Sequence, residues 1–199
     1  KAILPTDSGQ NWGSILYGID RDKFSFDNSD IEKGNYINDS IYSSIYKLLI
    51  DTGKRVISLV GWQYFHSGLL EKNVVDSIFT YTPLEDENLY HVEMLKTKHE
   101  RGVFKHDEYV VNKFKEIIST DEFANISLFV IHLTDVDEAG HYYEFNSEKY
   151  YEQLEKIDKQ IGWLKDCLLV LTTNHGGVGT MHGKDSDLER NVFIIMMGP

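Results

Sequence analysis

The sequence predicts an α/β fold with a mostly parallel sheet and helices on both faces. Short apolar runs recur along the chain without polar alternation, as in strands covered on both sides. Amphipathic stretches with helical spacing lie between them, and alternation of the two builds parallel sheets. Residues able to do chemistry cluster just after the runs, at the end of an open parallel sheet where ligands bind.

The first expected strand is Ala2–Leu4, followed by a helix opening near Ser8 in "PTDSGQNWGSILYG". Ile41, Ile45, Leu48 and Leu49 then mark one helix face, and Gly53 stands where a left-handed residue closes a helix. Arg55–Val60 reads as a strand, whereas Trp62 to Gly102 resolves into no elements. A second helix carries Val110, Phe114, Ile117 and Ile118, and the strand Ile126–Leu133 follows. A third carries Tyr150, Leu154, Ile157, Ile161 and Leu164, capped at Asn146 or Ser147. It runs almost directly into the strand Cys167–Thr173, a cramped join for a helix-to-strand connection. Val192–Met197 is the last strand. With three prolines, no repeat and no linker, residues 1–199 read as one domain.

The formal net charge of -12 argues against a nucleic-acid partner, because such a surface repels polyanions. An anionic ligand would need a local cation, and a metal ion is the obvious one. Cys167 is the single cysteine, so no intrachain disulfide forms, and its place in "CLLVL" suggests a small buried hydrophobe. No apolar run approaches the ~18 residues of a membrane helix.

Three polar clusters follow three of the strands. In "DEAGH", Asp137 and His141 offer an oxygen and a nitrogen four residues apart, with Gly140 turning the chain between them. Zinc accepts that donor mixture, although a loop acid and a loop histidine that never meet would look the same. His182, in "NHGGVGTMHG", could complete a three-ligand set, leaving His175 and the neighbouring Asn174 to a second ion. Ser8 stands at a helix start, where it could be a plain N-cap or a nucleophile activated by a cation. Thr6 is the second candidate nucleophile, and Asp7 reads as a capping or solvated acid. His132, inside a strand, reads as a hydrogen-bonded core residue. Trp62, Tyr64 and Phe65 could stack on a base, but ordinary packing is the simpler reading.

In their order and spacing, "PTDSGQNWGSILYG", "DEAGH", "NHGG", "HG" and "NVFIIMMGP" resemble the alkaline phosphatase superfamily, and within it the type I phosphodiesterase/nucleotide pyrophosphatase family. The resemblance implies a doubly wound alkaline-phosphatase-like sheet and a phosphodiester- or pyrophosphate-cleaving hydrolase with two zinc ions about 4 Å apart. It implies that Asp137, His141 and His182 hold one ion, and that His175, Asn174 and the nucleophile Ser8 hold the other. Asn28, in "FSFDNSD", would bind a phosphoryl oxygen. The expected substrate is a small phosphate ester, a nucleotide among the candidates. The family's first strand, with a further aspartate ligand, would lie upstream of Lys1, and more chain would follow "GP". The family usually carries aspartate at the position of Asn174, so the second ion is expected to bind more weakly. A phosphomonoesterase, a phosphate mutase and a non-catalytic binding module are the alternatives.

Overall fold

The structure is a computed structural model that describes residues 1–20, 23, 26–33, 41–82, 105–164 and 167–198. These form two compact units, Lys1–Asn28 with Val136–Pro199, and Ser29–Asp135.

The Ser29–Asp135 unit is built on a parallel three-stranded sheet in the order β2-β1-β3. Its strands are β1 (Arg55–Val60), β2 (Phe79–Tyr81) and β3 (Ile126–His132). β1 is central, pairing Ile57 with Phe79 on one side and with Phe129 on the other. That position explains its nearly continuous apolar run, because Val56 to Val60, with Ser58 the one polar member, are all buried. The α/β class, the strands at Arg55–Val60 and from Ile126, and their parallel direction follow the sequence reading.

This unit also holds α2 (Asn28–Glu32, whose first residue belongs to the other unit), α3 (Ile45–Asp51), α4 (Lys72–Val75) and α5 (His106–Ile118). Ser44 caps α3 by accepting from Lys47 N at 3.2 Å, and Gly53 takes the expected left-handed conformation at φ 74°. The buried face of α3 differs from the predicted one. Ile41 lies outside the helix, Ile45 and Leu48 are exposed, and Tyr46 is the side chain that goes inside. Tyr46 can do so because its hydroxyl meets Ser58 Oγ at 3.0 Å, and His66 Nε2 reaches the same oxygen at 2.9 Å. Burial pushes the Tyr46 phenol up and the His66 imidazole down to about 4. α5 buries Val110, Val111 and Phe114, close to its predicted face.

Asp107 and Asp135 are both buried and cap each other's chain segments. Asp107 accepts from Thr134 N at 2.7 Å and from Asp135 N at 3.1 Å, while Asp135 Oδ2 accepts from Asp107 N at 3.2 Å. Burial first, and the Asp135 charge second, hold the Asp107 carboxyl well above its usual range.

His132 is buried against Phe65, with ring centroids 5.3 Å apart, and Trp62 meets Tyr64 edge-on at 6.0 Å. Those contacts are packing. Of the stretch that resolved into no elements, residues 83–102 lie outside the described residues.

The other unit holds α1 (Ser8–Tyr17), α6 (Asp135–Tyr143, entering from the last residue of the first-described unit), α7 (Glu148–Ile161), α8 (Asp187–Arg190), β4 (Leu169–Thr172) and β5 (Ile194–Met197). Ser147, not Asn146, caps α7. The helix stops at Ile161 before Gly162, so the join to β4 is longer than the sequence suggested.

β4 and β5 depart from the expected parallel sheet: they form a separate antiparallel pair, with Leu169 opposite Met197. Unalternating apolar runs carry no direction. Here Gly176 N, just past β4, donates to Glu189 O, just before β5, at 2.8 Å, so the connection returns to its own start. A two-stranded ribbon covers less than a full sheet does, and Val170 and Ile194 to Met197 remain exposed. Cys167 is partly exposed, just ahead of β4 rather than inside it.

Candidate metal centre

Ala2–Leu4, expected as a strand, joins no sheet among the described residues: Ala2 N donates to Arg190 O at 2.8 Å, and the Asn11 side chain brackets the residues that follow. Asn11 Oδ1 accepts from Ile3 N at 2.8 Å, and Asn11 Nδ2 donates to the carbonyls of Ile3, Pro5 and Asp7 at 3.3, 3.3 and 3.0 Å. Satisfied in this way, the segment needs no neighbouring strand. Thr6 is buried, and its hydroxyl donates to Lys184 O and accepts from Gly183 N. Its oxygen is therefore structural, which removes the ground for Thr6 as an alternative nucleophile.

The backbone N-cap of α1 is Asp7, and Ser8 is the first helical residue. The Ser8 hydroxyl instead lies 3.0 Å from His175 Nε2. Gly9 N, in the same first turn, donates to Asn28 Oδ1 at 2.7 Å, so Asn28 sits beside the serine.

α6 supplies Asp137 and His141. At i and i+4 they share a helix face, and Asp137 Oδ2 lies 3.4 Å from His141 Nε2. No turn at Gly140 is needed. What requires glycine there is Phe145, whose ring carbon would come 2.6 Å from a Cβ at 140 and would also clash with one at Gly177. Phe145 is thus the block on which α6 and the loop after β4 are closed together. Its backbone N–H, between Glu144 and Asn146 at positive φ, donates to Gly179 O at 2.7 Å.

That loop delivers His175 and His182, whose rings stack with centroids 3.9 Å apart, while His141 and His182 are 5.0 Å apart. The three histidines share one feature. Nδ1 of His141 meets Thr180 O at 2.8 Å, Nδ1 of His175 meets Gly176 O at 3.0 Å, and Nδ1 of His182 meets Thr6 O at 2.8 Å. A carbonyl can only accept, so each Nδ1 carries the hydrogen and each Nε2 is left with a lone pair when the ring is neutral. Anchoring Nδ1 on the backbone in this way makes Nε2 the ligating nitrogen of the neutral ring.

One donor atom each from Asp137, His175 and His182 lies within 4.8 Å of the others. Asp137 Oδ1 is buried and has no hydrogen-bond partner, an arrangement that costs free energy unless a cation or proton donor meets it. These residues fit a divalent ion. Burial alone would raise the Asp137 carboxyl, but the His141 hydrogen bond and the nearby His175, His141 and His182 hold it below its usual range. His141 is raised to about 9, chiefly by that hydrogen bond, and burial lowers His175. Asn174 Nδ2 is buried without a partner, and its amide brings no charge to the group.

All seven candidate residues lie in one compact unit, five of them in a linked group: Ser8, Asp137, His141, His175 and His182. Asn11 and Phe145, which set the positions of the others, were missed. Asn11 had no signal beyond its type, and Phe145 could have been suspected only from the glycines that crowd it.

A comparison with curated proteins returns no match. The family described as Type I phosphodiesterase / nucleotide pyrophosphatase matches residues 20–180. That span includes Asn28, Asp137, His141, Asn174 and His175; Ser8 and His182 lie just outside it and join the group through the contacts above. A match over well over half of the sequence, with these residues in it, identifies the lineage: the chain belongs to the type I phosphodiesterase/nucleotide pyrophosphatase family, whose activity is hydrolysis of phosphodiester and pyrophosphate bonds.

Proposed function

We propose that this protein is a zinc-dependent hydrolase that cleaves a phosphodiester or pyrophosphate bond through a phospho-serine intermediate on Ser8. The observation that carries the reading is the 3.0 Å approach of Ser8 Oγ to His175 Nε2, in a group that also holds Asp137 and His182. Asp137, His141 and His182 would hold one ion, and His175, Asn174 and Ser8 a second, weaker one. Zinc bound there supplies Lewis acidity, favouring ionised Ser8 and offsetting charge on the transferring group.

The residues themselves do the rest. With Nδ1–H given to Gly176 O, His175 aims its Nε2 lone pair at Ser8 Oγ, so an ion held by that nitrogen would also meet the serine oxygen, and the Ser8 proton passes to solvent water. The α1 start places positive backbone dipoles beside the serine. Asn28 Oδ1 is tied to Gly9 N–H, which leaves the Asn28 Nδ2 hydrogens for a phosphoryl oxygen. Ser8 Oγ then bonds to phosphorus as the bond to the leaving alcohol or phosphate breaks in line, and the leaving oxygen takes a proton from water. A water molecule next attacks the same phosphorus, breaks the Oγ–P bond and restores the serine hydroxyl, releasing a phosphomonoester.

The second reading is a binding module that keeps the fold without turnover, favoured by the uncharged Asn174. Hydrolysis of bis(p-nitrophenyl) phosphate and of the corresponding monoester by zinc-loaded protein separates the possibilities. Diester cleavage that stops on chelation supports the hydrolase. Fewer than one zinc per chain with no turnover supports the binding module, and preference for the monoester supports a phosphomonoesterase.

A further inference from the structure

Asp7 has no place in the mechanism above, yet it adjoins Ser8 and points a charge at the same group. Its backbone is that of a helix N-cap, with φ -103° and ψ 149°, but its side chain makes no capping hydrogen bond. Aspartate at an N-cap ordinarily accepts from the first-turn N–H groups, so something else orients this one. Asp7 Oδ1 lies 3.6 Å from His182 Nδ1. That is beyond hydrogen-bond length, and the Nδ1 hydrogen already goes to Thr6 O at 2.8 Å.

The chain opposite makes room for the carboxylate. Gly183 has φ 106°, and a Cβ there would stand 3.1 Å from Asp7 Oδ1. Asp7 is also outside the group of donor atoms from Asp137, His175 and His182, so its charge is not taken up by coordination there. The side chain is 33% exposed, as is that of Asp137 within the group, so solvent reaches the carboxylate. Its field reaches His175 as well.

We propose that Asp7 is a specificity-determining residue whose carboxylate disfavours doubly charged phosphate at this site and biases it towards monoanionic diesters. The inference rests on the hydrolase reading for its substrate classes. A fixed negative charge repels both anions, but the dianion by one additional unit charge, so it lowers monoester affinity more than diester affinity. It also favours departure of the doubly charged monoester product. The cations attract the dianion more strongly too; Asp7 offsets part of that preference.

The test is calorimetric binding of inorganic phosphate and of dimethyl phosphate to the zinc-loaded chain at pH 8, with wild type, Asp7→Asn and Asp7→Glu. Asp7→Asn is expected to tighten phosphate about ten-fold and dimethyl phosphate about three-fold, because the dianion feels twice the repulsion of the monoanion. Asp7→Glu should restore the wild-type ratio. Equal changes for the two anions, no change for either, or a parallel loss of zinc and both anions would overturn the proposal; the last result would make Asp7 only a support for His182. Because the readout is binding, it stands even where no turnover is found, so failure of the hydrolase reading and failure of this inference are seen separately.

Discussion

Ser8 Oγ and His175 Nε2 meet at 3.0 Å although 167 residues separate them in the chain. The approach depends on two anchors: the Asn11 bracket behind Ser8, and the hydrogen bond from His175 Nδ1 to Gly176 O. Removing the oxygen alone should leave both anchors intact. Ser8→Ala is expected to fold, to keep the ion held by Asp137, His141 and His182, and to lose diester turnover by about a thousand-fold or more. Metal content by elemental analysis and steady-state kinetics check the two halves separately.

Asn11→Ala takes away four hydrogen bonds at once and leaves the Ile3 N–H without its partner. A loss of about 2–4 kcal/mol in unfolding free energy is expected, with Ser8 displaced. Urea unfolding measures the stability. A variant within about 0.5 kcal/mol of wild type would show that the segment has other supports.

Gly177→Ala drives a methyl group into the Phe145 ring. Because that ring is buried between α6 and the loop, relief is small, and a cost of about 1–3 kcal/mol is expected. Phe145→Leu in the same chain should return part of it, so a double-mutant cycle reads the contact directly. Strict additivity would mean that the two do not touch.

His66 gives stability a pH dependence. Its folded value is lowered to about 4 by burial, whereas an unfolded histidine titrates near 6.5. The neutral ring is the form the fold accepts, so its contribution is complete above about pH 6.5. As pH falls towards about 4 the unfolded chain binds the proton first, and about 3 kcal/mol is lost. Unfolding free energies of wild type and His66→Gln between pH 4 and 7 isolate this contribution. The difference between them should shrink steadily as the pH drops; a constant difference would contradict the burial account.

What could be read in advance was local. The nearly continuous run of β1 and the i, i+4 placement of Asp137 and His141 are written in consecutive residues, and both emerge in the structure. Direction was not readable: β4 and β5 have the same apolar texture as β1, yet they pair antiparallel, with the Gly176–Glu189 hydrogen bond closing the connection between them. Face choice on α3 was lost because a tyrosine with a buried partner outcompeted the aliphatic stripe. Type and position suggested a nucleophile or cap at Ser8, a second candidate at Thr6 and a capping or solvated acid at Asp7, whereas tertiary partners tie up Thr6 and leave the Asp7 side chain out of the cap.

In the proposed mechanism Ser8 carries the phosphoryl group between the two displacements. Zinc-loaded protein mixed with bis(p-nitrophenyl) phosphate, quenched in acid during turnover and analysed by peptide mass spectrometry tests it most directly. A phosphate on Ser8 that vanishes when zinc is removed is the expected result. Zinc-dependent diester cleavage with unmodified Ser8, undiminished in Ser8→Ala, would contradict it.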